Sequence, residues 1–496
     1  MDVGIELNKK PRLVRGFLLG ITMRFSQYFQ LNLEQPYLDF LDIPLDTDVA
    51  AFVDPTALKQ LDSDFGHAAQ SLMQTFFDKV LQHITSNNLA KAIELLSKLS
   101  ESNEFHLGLS KGKARGHGIG AQNATKLGLA ISQSKASKSG LLQDLEDTCL
   151  VIEGIGSDMI SDAICNIIRG PLIEYTQEMC DLHNIPLTPN INSGAVWNGD
   201  AWVQHYTKLP MTNEGKIILV PKMIVRYNIS YSSTEYYRHY LLEDMRLDEI
   251  QRATTLVHYL KNGAPRVTKT DLLKKYGKDK TSIETQTLKH PTALENYKKD
   301  KLETLSNPLD HEDISEITNT QRIDWANLKL ELSQISTGRP SAHDYERLIE
   351  KTLTALFYPC LSYPKREKKI HAGRKRVDIE YTNCSKNGFF SWLAQHYTAP
   401  KIFIECKNYD DDLNNPEIDQ LAGRFSPSRG QFGIISYRKC KDPEKLKLRC
   451  QDTAKDHRGY IITLSDAELI ELIDSRASAK PYEFPLLYKK FNELID

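Results

Sequence analysis

The sequence predicts a multidomain protein in which a mainly α (α+β) N-terminal region precedes a C-terminal α/β domain. Three observations carry that expectation. The chain has 496 residues, enough for two to four domains of ordinary size. Its N-terminal half repeats apolar residues at three- and four-residue steps, the spacing of helices that bury one face. From residue 340 short apolar segments alternate with helical ones, the pattern of a mixed sheet covered by helices.

Taken in order, Phe17–Met23 is apolar but too short to span a bilayer and lacks a small-residue cleavage site. Neither a signal peptide nor a membrane partner is therefore expected. Phe65, Ala68, Leu72, Phe76 and Val80 predict a helix. Leu89, Ile93, Leu96 and Leu99 predict a second one after Ser86-Asn87-Asn88. Residues 108–140 are rich in Gly, Ser, Lys and Ala and read as a loop. The glycine run Gly112–Ala121 within them matches no phosphate-loop pattern and follows no apolar strand. Gly154-Ile155-Gly156 precedes a helix with Ile160, Ala163, Ile164 and Ile167 on one face. A further helix runs from Gly170-Pro171 toward His183. Lys216–Val225 reads as a strand interrupted at Pro221, and the aromatics Trp197, Trp202, Tyr231, Tyr236 and Tyr240 as packing residues. This divides the chain into 1–260, an N-terminal α-rich sensor, targeting or assembly region; 261–335, a polar linker with short helices; and 336–496, the C-terminal domain.

Lys and Arg total 63 against 65 Asp and Glu, so any nucleic-acid contact must come from local basic patches. The eight cysteines stand singly, with neither zinc-ligand spacing nor a disulfide framework, which points to a reduced, cytoplasmic setting.

The C-terminal domain carries the chemistry. Ser341–Phe357 reads as an amphipathic helix with Tyr345, Leu348, Ile349, Leu353 and Leu356 on one side. Strands are expected at Val377–Tyr381, Lys401–Cys406, Gly433–Tyr437 and Tyr460–Leu464. Helices are expected at Ile418–Phe425, Asp442–His457 and Asp466–Ile473. In Ile402-Phe403-Ile404-Glu405-Cys406-Lys407, the period of two sets Glu405 and Lys407 on one face. Val377, Ile379 and Tyr381 leave Asp378 on the face opposite to theirs. If the two strands are neighbours, Asp378 and Glu405 converge. Two carboxylates at one point suit Mg²⁺ or a similar hard cation, and Lys407 adds a positive charge beside it. Alone, a Glu-x-Lys triplet is as readily a strand-end ion pair; Glu214-Gly215-Lys216 and Glu367-Lys368-Lys369 have the same form.

Arg376-Val377-Asp378-Ile379-Glu380 together with Ile404-Glu405-Cys406-Lys407 resembles the two half-motifs of the PD-(D/E)xK nuclease superfamily. Val377 stands where the namesake proline would be. The resemblance covers residues 340–475 and implies a restriction-endonuclease-like domain with an αβββαβ core. It implies a Mg²⁺-dependent endodeoxyribonuclease, with Mn²⁺ as an alternative ion and DNA as substrate. Asp378 and Glu405 would be metal ligands, Glu346 in His343–Leu348 an auxiliary ligand, Lys407 the water-orienting cation and Gln420 a positioning group. Large regions fused to such nucleases resemble bacterial anti-phage defence or restriction effectors, with a phage-derived trigger or partner defence protein and a possible homo-oligomer. RNA as substrate, or a catalytically silent nucleic-acid-binding or scaffold protein, are the alternatives.

Seven Lys or Arg lie between Lys365 and Arg376. Of these, Lys368, Lys369, Arg374, Lys375 and Arg376 are suited to phosphates beside the cleavage site. Arg424, Arg429 and Arg438 would extend that surface.

Overall fold

The computed structural model describes residues 22–99, 102–108, 128–304, 307–370, 375–409, 413–478 and 483–496. The glycine run Gly112–Ala121 and Arg374 lie outside them.

In the N-terminal region the apolar repeat forms helices Asp64–Thr85 and Leu89–Leu96. The first begins where the Ser63 side chain accepts from the Gly66 amide, satisfying a donor the helix cannot. Helices Ser157–Ile167 and Arg169–His183 pack Ile160, Ile164, Leu172 and Met179 into the same core as Phe76, Phe77 and Val80. Lys216–Val225 is not a single strand. Gly215–Lys216 and Val225–Arg226 are strand, with a 3₁₀ turn at Lys222–Ile224 between them. Pro221, which lacks an amide hydrogen, makes only an isolated bridge to Phe40. A long antiparallel ribbon, Thr188–Trp197 with Trp202–Leu209, has no apolar alternation strong enough to announce it. The aromatics pack: Trp197 meets Phe76 edge-on at 5.2 Å, and Tyr231, Tyr236 and Tyr240 surround Tyr297 at 5.4, 5.4 and 5.1 Å.

Residues 261–335, expected as a polar linker, form helices Lys269–Tyr276, Lys280–Thr287, Pro291–Glu303, His311–Thr318 and Trp325–Gln334. Leu272, Ile283, Leu294, Tyr297 and Ile314 lie in the N-terminal core, and Leu328 and Leu332 in the C-terminal one. Each helix buries only a few residues, so its composition stays polar although its inner face is packed.

The C-terminal domain is built on a five-stranded mixed sheet. Its strands are β1 (Leu361–Ile370), β2 (Lys375–Asn383), β3 (Lys401–Lys407), β4 (Phe432–Tyr437) and β5 (Tyr460–Ser465). The spatial order is β5-β4-β3-β2-β1. β1–β2 and β2–β3 are antiparallel, β3–β4 and β4–β5 parallel. The helices are α1 (Ala342–Phe357), α2 (Gly388–His396), α3 (Asn415–Ala422), α4 (Pro443–Lys455), α5 (Asp466–Ala477) and α6 (Pro485–Ile495). Val377, Ile379, Tyr381, Ile402 and Ile404 are fully buried. The Tyr381 hydroxyl bonds Thr354 Oγ1 at 2.8 Å and donates to the Glu350 carbonyl at 3.0 Å, tying β2 to α1.

Edge strand β1 does not face solvent. Its Tyr363 amide donates to Asp39 Oδ1 at 3.1 Å, and Tyr175 donates to Asp39 Oδ2 at 2.8 Å. Lys365 pairs with Glu178, and Arg366 donates to the Leu182 carbonyl. Helix Arg169–His183 thus covers an edge that would otherwise present unpaired backbone. No described helix is long and apolar enough to cross a membrane, and none of the eight cysteines is in a disulfide.

Candidate active site

Hydrogen-bonded register places the key residues. β2 and β3 pair Ile379 with Ile404 and Glu380 with Phe403. One step further sets Asp378 opposite Glu405, with both side chains on one face. Asp378 Oδ2 accepts from the Cys406 amide at 2.9 Å, which fixes the carboxylate at the junction of the two strands. Lys407 Nζ contacts Glu405 Oε1 at 2.8 Å and Gln420 Oε1 at 3.3 Å. Gln420 Nε2 in turn donates to Glu405 Oε1. α3 therefore supplies Gln420 to the site, its start fixed by a reciprocal cap between Asn414 and Glu417.

Glu405 is 1% exposed, yet its Oε2 has no hydrogen-bond partner among the described residues. Glu346 Oε2 on α1 is likewise buried without one, with His343 Nδ1 3.5 Å away. Unsatisfied buried carboxylate oxygens are costly and rare. Burial pushes the Glu405 carboxyl up to about 7, and the Asp378 charge adds to the rise against the pull of Lys407. Asp378 is also raised by burial, although the Cys406 amide and Lys407 oppose it. Glu346 is raised by burial and then by Asp378. The Asp378 charge thus bears on both glutamates through poorly solvated space.

Asp378, Glu405, Lys407 and Gln420 are brought together. Glu346 stands somewhat apart from the expected trio. Its ligand oxygen gathers with His343 Nδ1 or Nε2 and a Glu367 oxygen, all within 4.8 Å of one another, and this is the one such cluster among the described residues. His343 was legible one helical turn before Glu346. Glu367 was not, because its strand is too charged to be read as one. Arg424 also acts here: its Nε donates to the Arg376 carbonyl at 2.8 Å, and its charge opposes the rise of both Asp378 and Glu405.

The described residues of the basic run are strand. Lys368 and Lys369 sit on β1 opposite Val377 and Arg376, and Lys375 on β2 opposite Ile370; their side chains lie outside the described residues. Arg376 is exposed and contacts Glu367 Oε1 at 2.9 Å. Arg438 is no surface contact. It is 8% exposed, bonds Asp466 at 2.8 Å and stacks over Tyr345.

A family model described as a domain of unknown function (DUF8370) matches residues 30–232. No curated protein and no solved structure matches the chain. The matched residues end well before this site.

Proposed function

We propose that the protein is a metal-dependent endonuclease that hydrolyses DNA phosphodiester bonds through a restriction-endonuclease-like C-terminal domain. The observation that carries this reading is the open Oε2 of Glu405, buried opposite Asp378 and beside Lys407. The order α1-β1-β2-β3-α3-β4, with α2 set between β2 and β3, supports the αβββαβ reading.

The residues fit a divalent cation. Asp378 and Glu405 offer hard oxygen ligands, and the carboxyl of Glu405 is raised by burial and then by the Asp378 charge, which a bound cation would offset. Glu346 would serve as an auxiliary ligand, and the neighbouring imidazole of His343 would suit Mn²⁺ better than the harder Mg²⁺. When bound, such an ion neutralises phosphate charge and makes water more acidic. The chain does the rest. The Cys406 amide orients Asp378, Gln420 orients Glu405, and Lys407, held on Glu405, would bring its positive charge to the attacking water and the phosphate. Lys368, Lys369, Arg374, Lys375 and Arg376 would contact the DNA backbone at the edge of the β1–β2 hairpin.

Cutting both strands takes two such sites, which favours a homo-oligomer. The N-terminal region would sense a phage-derived trigger or a partner protein, in anti-phage defence or restriction. Plasmid nicking with Mg²⁺ tests the chemistry. Wild type should cleave supercoiled DNA while Asp378→Ala and Lys407→Ala do not; equal cleavage by all three would sink the assignment. Parallel assays on RNA decide the sugar.

A further inference from the structure

We infer that residues 258–289 form a second nucleic-acid surface, a helix–turn–helix with a β-hairpin wing that binds duplex DNA apart from the cleavage site. These residues lie outside both the matched domain at 30–232 and the five-stranded sheet.

Geometry comes first. His258–Tyr259 pairs antiparallel with Pro265–Arg266 to make a short hairpin. Its tip is closed by the Leu260 amide on the Ala264 carbonyl at 2.9 Å, with Gly263 at φ +77°. Tyr259 is 69% exposed and Leu260 42%. Helix Lys269–Tyr276 follows, then a three-residue turn opened by Gly277 at φ +86°, then helix Lys280–Thr287. Two short helices joined by a glycine turn of this length have the connection of a helix–turn–helix.

The frame is anchored from behind. The buried Glu249 carboxylate accepts from Lys275 Nζ at 2.7 Å and from the Tyr276 and Thr254 hydroxyls, which ties the first helix to Leu242–Gln251. On the second helix, Ile283 enters the N-terminal core. Glu284 Oε1 accepts from Ser134 Oγ at 2.7 Å and from the Ala136 amide at 2.9 Å. The opposite stripe carries Thr281, Ser282 and Thr285 at helical spacing, flanked by Lys278 and Lys289; all but the half-buried Ser282 are exposed.

Charge decides what binds there. Residues 252–290 hold nine Lys or Arg against three Asp or Glu, in a chain whose totals nearly cancel. All three acids are occupied: Asp271 by the Thr268 hydroxyl, Asp279 as the cap on the Ser282 amide, Glu284 as above. The side chains of Lys261, Arg266, Lys274, Lys278 and Lys289 have no hydrogen-bond or ion-pair partner among the described residues. A helix faced with small hydroxyls and lysines fits the B-DNA major groove, about 12 Å wide, whereas the A-form groove of duplex RNA excludes it. The helix face carries no aromatic platform on which single-stranded bases would stack. Wing cations would reach the flanking backbone.

Anisotropy of a labelled duplex with the full chain in EDTA tests this without cleavage; the basic residues beside the cleavage site are the same in every variant, so a change in affinity reports this surface alone. Lys278→Glu/Lys289→Glu and Lys261→Glu/Arg266→Glu should each weaken binding roughly tenfold or more at moderate salt. Each should also lower the slope of log K against log salt by about two. Lys91→Glu, an exposed control, should leave both unchanged, and unaltered melting temperatures certify folding. Unlabelled duplex DNA should compete better than single-stranded DNA or duplex RNA. Affinities within twofold of wild type for both double variants, or equal competition by single strands, would overturn the inference.

Discussion

The N-terminal region gathers three carboxylates, the buried Glu146 and Asp147 and the half-buried Asp144, and gives each a lysine. Lys59 contacts Asp144 at 2.9 Å and Glu146 at 2.6 Å, and Lys298 contacts Asp144 and Asp147 at 3.0 Å each. The C-terminal domain also gathers three, Asp378, Glu405 and Glu346, but Lys407 contacts Glu405 alone. Arg376 is engaged with Glu367, and Arg424 with the Arg376 carbonyl. The first cluster is an ion network of three carboxylates and two lysines that ties residues 144–147 to helices Pro55–Lys59 and Pro291–Glu303. The second is shorter still of positive charge, a deficit that the proposed divalent ion would make up. Buried acids by themselves therefore indicate little; the count of cations touching them separates scaffold from site.

That contrast can be broken in several places. The largest effect is on cleavage. Asp378→Asn or Glu405→Gln should lower plasmid cutting on the order of 10²–10³-fold, the scale of losing one charge-stabilising group. Neither should lower the melting temperature in EDTA. In the N-terminal cluster the expectation reverses. Lys298→Met should cost about 2–4 kcal/mol in urea unfolding, because buried carboxylates lose their counter-ion.

The third effect depends on pH. Glu405 titrates near 7 in the folded chain, above its ordinary value of 4.5. The folded state then holds a proton the unfolded state has lost, so stability falls as pH rises from 4.5 through 7. Glu405→Gln should remove this penalty, raising metal-free stability by about 1–3 kcal/mol at pH 8 and by almost nothing near pH 4.5. Denaturant midpoints at the two pH values check it. The smallest effect is at the surface: Arg376→Ala should change stability by less than about 0.5 kcal/mol, since its partner Glu367 is exposed too.

Much of the C-terminal domain was legible because its inner strands obey simple rules. Ile402, Phe403 and Ile404 announce β3, and the period of two separates Asp378 from Val377 and Ile379. β1 was hidden. Lys365 and Arg366 look like loop residues until Glu178 and the Leu182 carbonyl meet them from another region. Such pairing is set by tertiary contact, which no local pattern encodes. The cluster of Glu346 with His343 and Glu367 was half visible for the same reason: His343 shares its helix, Glu367 its hidden strand. In the N-terminal region the ribbon Thr188–Trp197 and Trp202–Leu209 escaped notice because Asn190, Asn192 and Ser193 interrupt its apolar face. Helices of residues 261–335 bury so few side chains that composition alone reads them as linker.

Electron paramagnetic resonance of Mn²⁺ titrated into the full chain at pH 8 reads the central claim directly. Wild type should take up the ion, with Asp378→Asn and Glu405→Gln each weakening uptake at least tenfold and Asp147→Asn leaving it intact. Equal uptake by wild type and the two C-terminal variants would contradict the account.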